Sequence, residues 1–174
     1  MENIKITNQN FWTGSLVFGG VGLLLLVSLL IGYGAAEYAH AARALILTSG
    51  LLWGALAVAL SAWGWKIYYQ YLYPAWARPM APLSGLLYAA VAVGMWTLSN
   101  HFGGGAVLWF VLMGGVEGLL EHLFGIYVLR ILHKVPWLAG VSPLPCLIFS
   151  FFEYITYWSL TLWAVFLVQR LISS

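Results

Sequence analysis

Long runs of apolar residues, separated by short polar or proline-containing stretches, occupy most of this chain. A helix needs about 20 apolar residues to cross about 30 Å of hydrocarbon. Five runs come close to that length or exceed it, and they are residues 11–33, 43–64, 82–98, 106–132 and 146–171. The pattern predicts an all-α integral membrane protein, with residues 1–174 forming one bundle of about five transmembrane helices.

The composition favours the same fold class. Hydrophobic residues make up 63% of the chain and charged residues only 7%, whereas soluble domains are about a quarter charged. A cleaved signal peptide is the alternative for the first run, since Lys5 precedes it and Gly34-Ala35-Ala36 follows it. The length of the run favours a membrane helix. The net charge of +2 comes from scattered basic residues, so nucleic acid is not an expected partner.

Basic residues in the short connections predict the orientation of the bundle. With five spans, one side carries Lys5, Lys66, Arg78, Arg130 and Lys134, and the other carries Arg43 and Arg170. The positive-inside bias therefore places the N-terminus in the cytoplasm. The expected location is the cell (inner) membrane. Residues 65–78 mix aromatic with basic side chains, which is typical of the lipid interface, although a substrate entrance is the alternative. Residues 135–145 are expected to lie along the interface.

Ionisable residues inside the apolar runs point to a functional site. Glu117, Glu121 and His122 lie in the fourth run, and Glu153 lies in the fifth. Such groups are costly at membrane depth and seldom face lipid. Glu117 and Glu121 are four residues apart, so they share one helical face. Three glycines lie close to the same face, which predicts a packing seam turned toward other helices: Gly114, Gly118 and Gly125.

The fourth and fifth runs are consecutive and should be antiparallel, which predicts the level of each side chain. Counting from the same membrane surface at about 1.5 Å per residue pairs Glu121 with Glu153 and, deeper, Glu117 with Tyr157. Tyr154 lies beside this stripe, and Tyr88 of the third run reaches a similar depth. We therefore expect one polar cavity between these helices.

Several carboxylates in a low dielectric must be protonated or neutralised by a bound cation. A divalent metal ion (Fe, Mn or Zn) would use carboxylate and imidazole ligands, which are Glu117, Glu121, His122 and Glu153. The di-iron pattern of bundles needs Glu-x-x-His on two helices, and this chain has a single adjacent Glu-His pair. Haem is not expected, because the other histidines (His40, His101 and His133) lie near segment ends. The single cysteine, Cys146, excludes an intrachain disulfide and is most simply a small apolar residue.

Three functions remain open from the sequence. The first is a membrane-embedded reaction on a hydrophobic substrate, with Glu117, Glu121, Glu153 and Tyr157 as the catalytic residues. The second is a proton- or cation-coupled transport component that binds a hydrophobic or cationic small molecule. The third is a non-catalytic subunit of a larger membrane complex, with the carboxyl groups in hydrogen bonds between helices. The glycine seam also predicts a homo-oligomer or membrane-complex subunit.

Overall fold

The computed structural model describes residues 5–32, 84–102 and 105–173, and every regular element in these ranges is helical. The elements are α1 (Asn8–Gly32), α2 (Ser84–His101), α3 (Ala106–Tyr127), α4 (Ile131–Lys134), a 3₁₀ turn (Pro136–Leu138) and α5 (Pro143–Ser173). The all-α prediction is confirmed for this part of the chain. The predicted segment 43–64, the aromatic stretch 65–78, Arg43 and His40 lie outside the described residues.

Two of these helices are long and apolar enough to cross a membrane. They are α1, with 25 residues, and α3, with 22 residues. At about 1.5 Å per residue, each is longer than the hydrocarbon layer is thick. Length and composition alone also admit a buried helix of a soluble protein or, for α1, a signal sequence. The five-span bundle therefore stays a prediction.

Helix α1 packs along α5 through small residues that accommodate large side chains. A Cβ atom added to Gly14 would lie 2.7 Å from the Phe149 ring, and one added to Gly22 would lie 2.8 Å from Oγ1 of Thr156. The Thr156 hydroxyl donates a 2.6 Å hydrogen bond to the backbone carbonyl of Phe18 across this seam. Close approach of the two backbones thus depends on the glycines.

Helix α3 packs against α5 through two glycines of the predicted seam, Gly114 and Gly118, together with Gly115, whereas the third predicted glycine, Gly125, lies against Ile131 of α4. Gly114, Gly115 and Gly118 are all buried, and an added Cβ would meet Trp158 at 2.1 Å, Phe151 at 2.8 Å and Tyr154 at 2.2 Å respectively. The rings of α5 therefore occupy the space that larger residues on α3 would fill. Trp158 is fully buried in the main core of the described helices.

Helix α3 ends at Tyr127, five residues before the predicted end at residue 132. The chain turns because Arg130 adopts the left-handed conformation, with φ 55° and ψ 45°, which ends a right-handed helix. Helix α5 begins at Pro143, three residues earlier than predicted. Prolines are compatible with the first turn of a helix, where the backbone N–H has no intrahelical partner. Helix α2 also continues past the predicted end at residue 98, to His101.

Candidate functional site

Three side-chain oxygens from three helices form a triangle of short contacts. Tyr88 of α2 and Tyr154 of α5 each donate a hydrogen bond of 2.6 Å to Oε2 of Glu121 on α3. The two tyrosine oxygens are themselves 2.8 Å apart. Contacts of this length are usual for hydrogen bonds between oxygen atoms. We call these three residues the carboxyl–tyrosine triad.

Packing holds both tyrosines of the triad in place. Tyr88 is 4% exposed and Tyr154 is 7% exposed. The Tyr88 ring lies nearly parallel to that of Trp158, at 6.3 Å between centroids and 25° between planes. Tyr154 lies against Gly118, where any side chain would overlap its ring. The hydroxyl groups are therefore positioned by α2 and α5, and the carboxyl group is positioned by α3.

Glu121 is an exposed residue of α3, although one of its carboxyl oxygens is held by both tyrosines. Both tyrosines donate to Oε2, so neither occupies Oε1. Glu121 is exposed, and so are its neighbours on α3, Leu120 at 55% and Phe124 at 54%. The triad thus combines two buried hydroxyl groups with an acid that opens onto an apolar surface.

Glu117 lies one turn before Glu121 and has a different partner. The indole Nε1 of Trp158 donates a 3.3 Å hydrogen bond to its Oε2, and Trp158 reaches this position because residue 114 is glycine. The two carboxyl groups lie close enough to interact electrostatically. Glu117 and Glu121 therefore lie close together on one face of α3, as predicted.

His122 faces the backbone of its own helix with one ring nitrogen. Its Nδ1 is 3.0 Å from the carbonyl oxygen of Gly118. A carbonyl only accepts hydrogen bonds, so Nδ1 carries the hydrogen and Nε2 is the nitrogen left for a proton or a ligand. The ring meets that of Tyr154 edge to face, at 6.0 Å between centroids. His122 therefore lies beside the triad, and its Nδ1 cannot bind a metal ion in this arrangement.

Glu153 and Tyr157 lie next to the triad rather than in it. Glu153 is half-buried on α5 and close enough to Glu121 for an electrostatic interaction. The Tyr157 ring contacts those of Tyr88 and Trp158, with centroids 6.3 Å and 4.9 Å apart. The catalytic roles predicted for both residues stay predictions.

The four residues predicted as metal ligands, Glu117, Glu121, His122 and Glu153, lie on facing helices. In residues 5–32, 84–102 and 105–173, however, no three side chains of His, Cys, Asp or Glu are grouped closely enough to hold a metal ion. A metal site usually needs at least three protein ligands. Binding of Fe, Mn or Zn therefore stays a prediction.

The other candidate residues of the sequence lie away from the triad or are plainly structural. His101 is exposed at the end of α2, and its Nδ1 contacts the carbonyl oxygen of Thr97 at 2.8 Å. His133 is exposed in α4. Cys146 is buried among apolar side chains that include Ile126 and Leu138. These environments offer each residue an ordinary structural role.

The helical pattern of the sequence predicts only part of the tyrosine arrangement. It brings Tyr88 and Tyr154 near the predicted site, but it favours Tyr157 as the functional hydroxyl and does not indicate a role for Trp158. Tyr154 follows Glu153 and lies about 100° around the helix from it, so the rotation of α5 decides which of these two residues faces α3.

Comparison of the chain with protein-family models, with curated proteins and with solved structures finds no match.

Proposed function

We propose that this chain is an integral membrane protein, a bundle of about five transmembrane helices with a cytoplasmic N-terminus, in the cell (inner) membrane. The lateral surface of α1 supports this proposal, because large apolar side chains are exposed along its length: Leu16, Val17, Leu23, Leu24, Leu30 and Ile31 are between 49% and 82% exposed. A contiguous apolar surface of this kind is costly in water and favourable in lipid.

Within this bundle, the Glu/His site is proposed to bind a cation, and that cation is a proton held in the carboxyl–tyrosine triad. The observation that carries this proposal is the triangle of contacts at 2.6, 2.6 and 2.8 Å. Three short oxygen–oxygen contacts need three protons if each is to be a hydrogen bond. Two tyrosines supply two protons, so an ionised Glu121 would leave one contact without a hydrogen. A proton on Oε2 completes the ring, because Glu121 then donates to one tyrosine, that tyrosine donates to the other, and the second tyrosine donates back to Oε2.

A divalent metal ion is the less well supported cation. The described ligands do not come together in a group of three, and Oε2 of Glu121 already has a tyrosine hydroxyl group at 2.6 Å on each of two sides. A proton needs no further ligands and fits the geometry of the triad as it is.

The proposed use of this proton is acid–base chemistry on a hydrophobic substrate that reaches the site through the lipid. Glu121 would exchange the proton with the substrate, while Tyr88 and Tyr154 would orient the carboxyl group and stabilise its charge after proton release. The exposure of Leu120 and Phe124 beside Glu121 supports approach from the apolar surface. Glu117, Glu153 and Tyr157 would lie around the bound substrate.

A lipid-soluble carbodiimide tests the protonated, lipid-accessible acid directly, since such reagents modify protonated carboxyl groups. The protein is reconstituted in vesicles and treated with dicyclohexylcarbodiimide, and the modified residue is located by peptide mass spectrometry. We expect an adduct on Glu121 that is absent in Glu121→Gln. A water-soluble carbodiimide at equal concentration should label Glu121 less.

Two results would overturn the proposal. One is modification of Glu121 by the water-soluble reagent alone, which would place the residue in an aqueous path and favour the transport function. The other is stoichiometric Fe, Mn or Zn in the purified protein that is lost in Glu121→Gln, which would favour the metal site.

A further inference from the structure

Basic side chains from two distant parts of the sequence gather at one end of the described helices. Lys5 precedes α1, whereas Arg130, His133 and Lys134 lie between α3 and α5, and all four are exposed. We call them the basic end. They surround a single apolar cluster, because Ile6 next to Lys5 packs against a group that includes Leu132 and Val135.

Hydrogen bonds fix the segment around Lys5 to the turn that precedes α5. The backbone N–H of Ile6 donates to the carbonyl oxygen of Trp137 at 3.3 Å. The side chain of Asn8 accepts from the backbone N–H of Ser142 at 2.8 Å and donates to the Ser142 hydroxyl at 3.2 Å. Lys5 is therefore held over this turn, and its Cε would be 3.7 Å from a Cβ placed on Gly140.

The two segments that form the basic end contain no acidic residue. The sequence has none from position 3 to 36 and none from position 122 to 152, and Glu2 is the acid closest to Lys5 along the chain. Lysine and arginine side chains are cations at neutral pH. These segments therefore bring three permanent positive charges to the outside of a small apolar cluster without a negative charge of their own.

Aromatic and amphipathic features place this end at the level of lipid headgroups. Trp12, in the second turn of α1, is 39% exposed, and Trp137 is half-buried in the turn before α5. Between α3 and α5, Leu132, Val135 and Leu138 are buried while His133 and Lys134 are exposed. A segment with apolar residues turned inward, basic residues outward and tryptophan at its level is typical of the membrane interface.

We propose that the basic end binds the phosphate headgroups of anionic phospholipids in the adjacent leaflet. Lysine and arginine donate charge-assisted hydrogen bonds to phosphate oxygens, and each such residue near an anionic bilayer strengthens binding about fivefold. The inference rests on the proposed membrane location but not on the triad, whose three residues lie within α2, α3 and α5 and not in the basic end.

A lipid titration of the detergent-purified protein tests the inference. Phosphatidylglycerol, phosphatidylcholine or inorganic phosphate is added, and the melting temperature is followed to find the concentration that gives half of the maximal shift. We expect phosphatidylglycerol to raise the melting temperature at the lowest concentration. In the variant Lys5→Gln/Lys134→Gln that concentration should rise about 25-fold, because two charges are removed at about fivefold each. The charge-preserving variant Lys5→Arg/Lys134→Arg should behave as wild type.

An equal response to phosphatidylcholine, or an unchanged response to phosphatidylglycerol in Lys5→Gln/Lys134→Gln, would overturn the inference. A response to inorganic phosphate that matches that to phosphatidylglycerol would also overturn it, since a free anion would then be the ligand. Alkaline extraction of cell membranes distinguishes failure of the basic-end inference from failure of the proposed membrane location. Protein released by alkali refutes the membrane location, whereas retained protein without lipid preference refutes only the basic-end inference.

Discussion

The hydroxyl group of Tyr154 on α5 is joined to the carboxyl group of Glu121 on α3 by a 2.6 Å hydrogen bond. This contact depends on Gly118, three residues before Glu121, because a Cβ there would lie 2.2 Å from the Tyr154 ring. Tyr88 adds a second donor from α2 to the same carboxyl oxygen. A polar connection among three helices is thus built around one acid and one glycine.

Removing a single hydroxyl group of the triad should destabilise the protein. Tyr154→Phe keeps the ring but deletes the donor to Glu121, so we expect a loss of about 1–3 kcal/mol in the free energy of unfolding. Chemical unfolding in detergent micelles would measure it. Tyr127→Phe is the matched control, because Tyr127 lies on α3 and is 59% exposed. Equal stability of the Tyr154→Phe and Tyr127→Phe variants would contradict the hydrogen bond.

The two tyrosines should also be energetically coupled. Since Tyr88 and Tyr154 bond to the same oxygen and to each other, the double variant Tyr88→Phe/Tyr154→Phe should lose less or more stability than the sum of the single variants, by about 0.5–3 kcal/mol. A double-mutant cycle measures this coupling. Strict additivity would show that the hydroxyl groups act independently and would argue against a shared proton.

The glycine seam provides a test of how α3 and α5 fit together. In Gly118→Ala the new methyl group would overlap the Tyr154 ring, so we expect a loss of about 1–3 kcal/mol through overpacking. The control is Gly20→Ala on α1, where nothing lies within 4 Å of the added atom. That variant should be neutral or gain up to about 1 kcal/mol, because alanine favours the helix. Thermal unfolding of both variants gives the comparison, and similar melting temperatures would contradict the close packing.

The seam between α1 and α5 can be tested through the hydroxyl bond of Thr156. Thr156→Val removes the donor to the carbonyl oxygen of Phe18 with little change in shape, and bonds of this kind between membrane helices contribute about 0.6 kcal/mol, up to about 1.7. Thr13→Val on the exposed side of α1 is the control. A loss in Thr156→Val no larger than in Thr13→Val would show that glycine packing alone holds these helices.

The register between α3 and α5 could be predicted from the sequence to within one residue, but the rotation of α5 could not. Consecutive antiparallel helices and a fixed rise per residue pair Glu121 with Glu153 and Glu117 with Tyr157. The structure pairs the same two acids with the next residues along, Tyr154 and Trp158. The predicted vertical register therefore differs from the observed one by a single residue.

The rotation is set by packing that a single sequence does not reveal. Rings of α5 fill the space left by Gly114 and Gly118, which turns Tyr154 and Trp158 toward α3. Helix α5 carries several aromatic residues around its circumference. Its sequence pattern therefore does not indicate which of them meets the glycines of α3. For the same reason the sequence could not predict that Tyr88 and Tyr154 would share one carboxyl oxygen.

The end of α3 illustrates a similar limit. The apolar run continues past Tyr127 without a glycine or proline, so its pattern predicts a helix to residue 132. The structure breaks the helix with a non-glycine residue, Arg130, in the left-handed conformation. That conformation is unusual for arginine. The residues that follow it, including Leu132 and Val135, pack into an apolar cluster.

Infrared spectroscopy of the carboxyl groups tests the shared proton most directly. The reconstituted wild-type protein should show a protonated-carboxyl C=O band that is absent in Glu121→Gln, shifted in Tyr88→Phe and Tyr154→Phe, and retained in Glu153→Gln. A spectrum in which Glu121→Gln leaves every protonated-carboxyl band unchanged would show that no proton resides on this acid and would contradict the account.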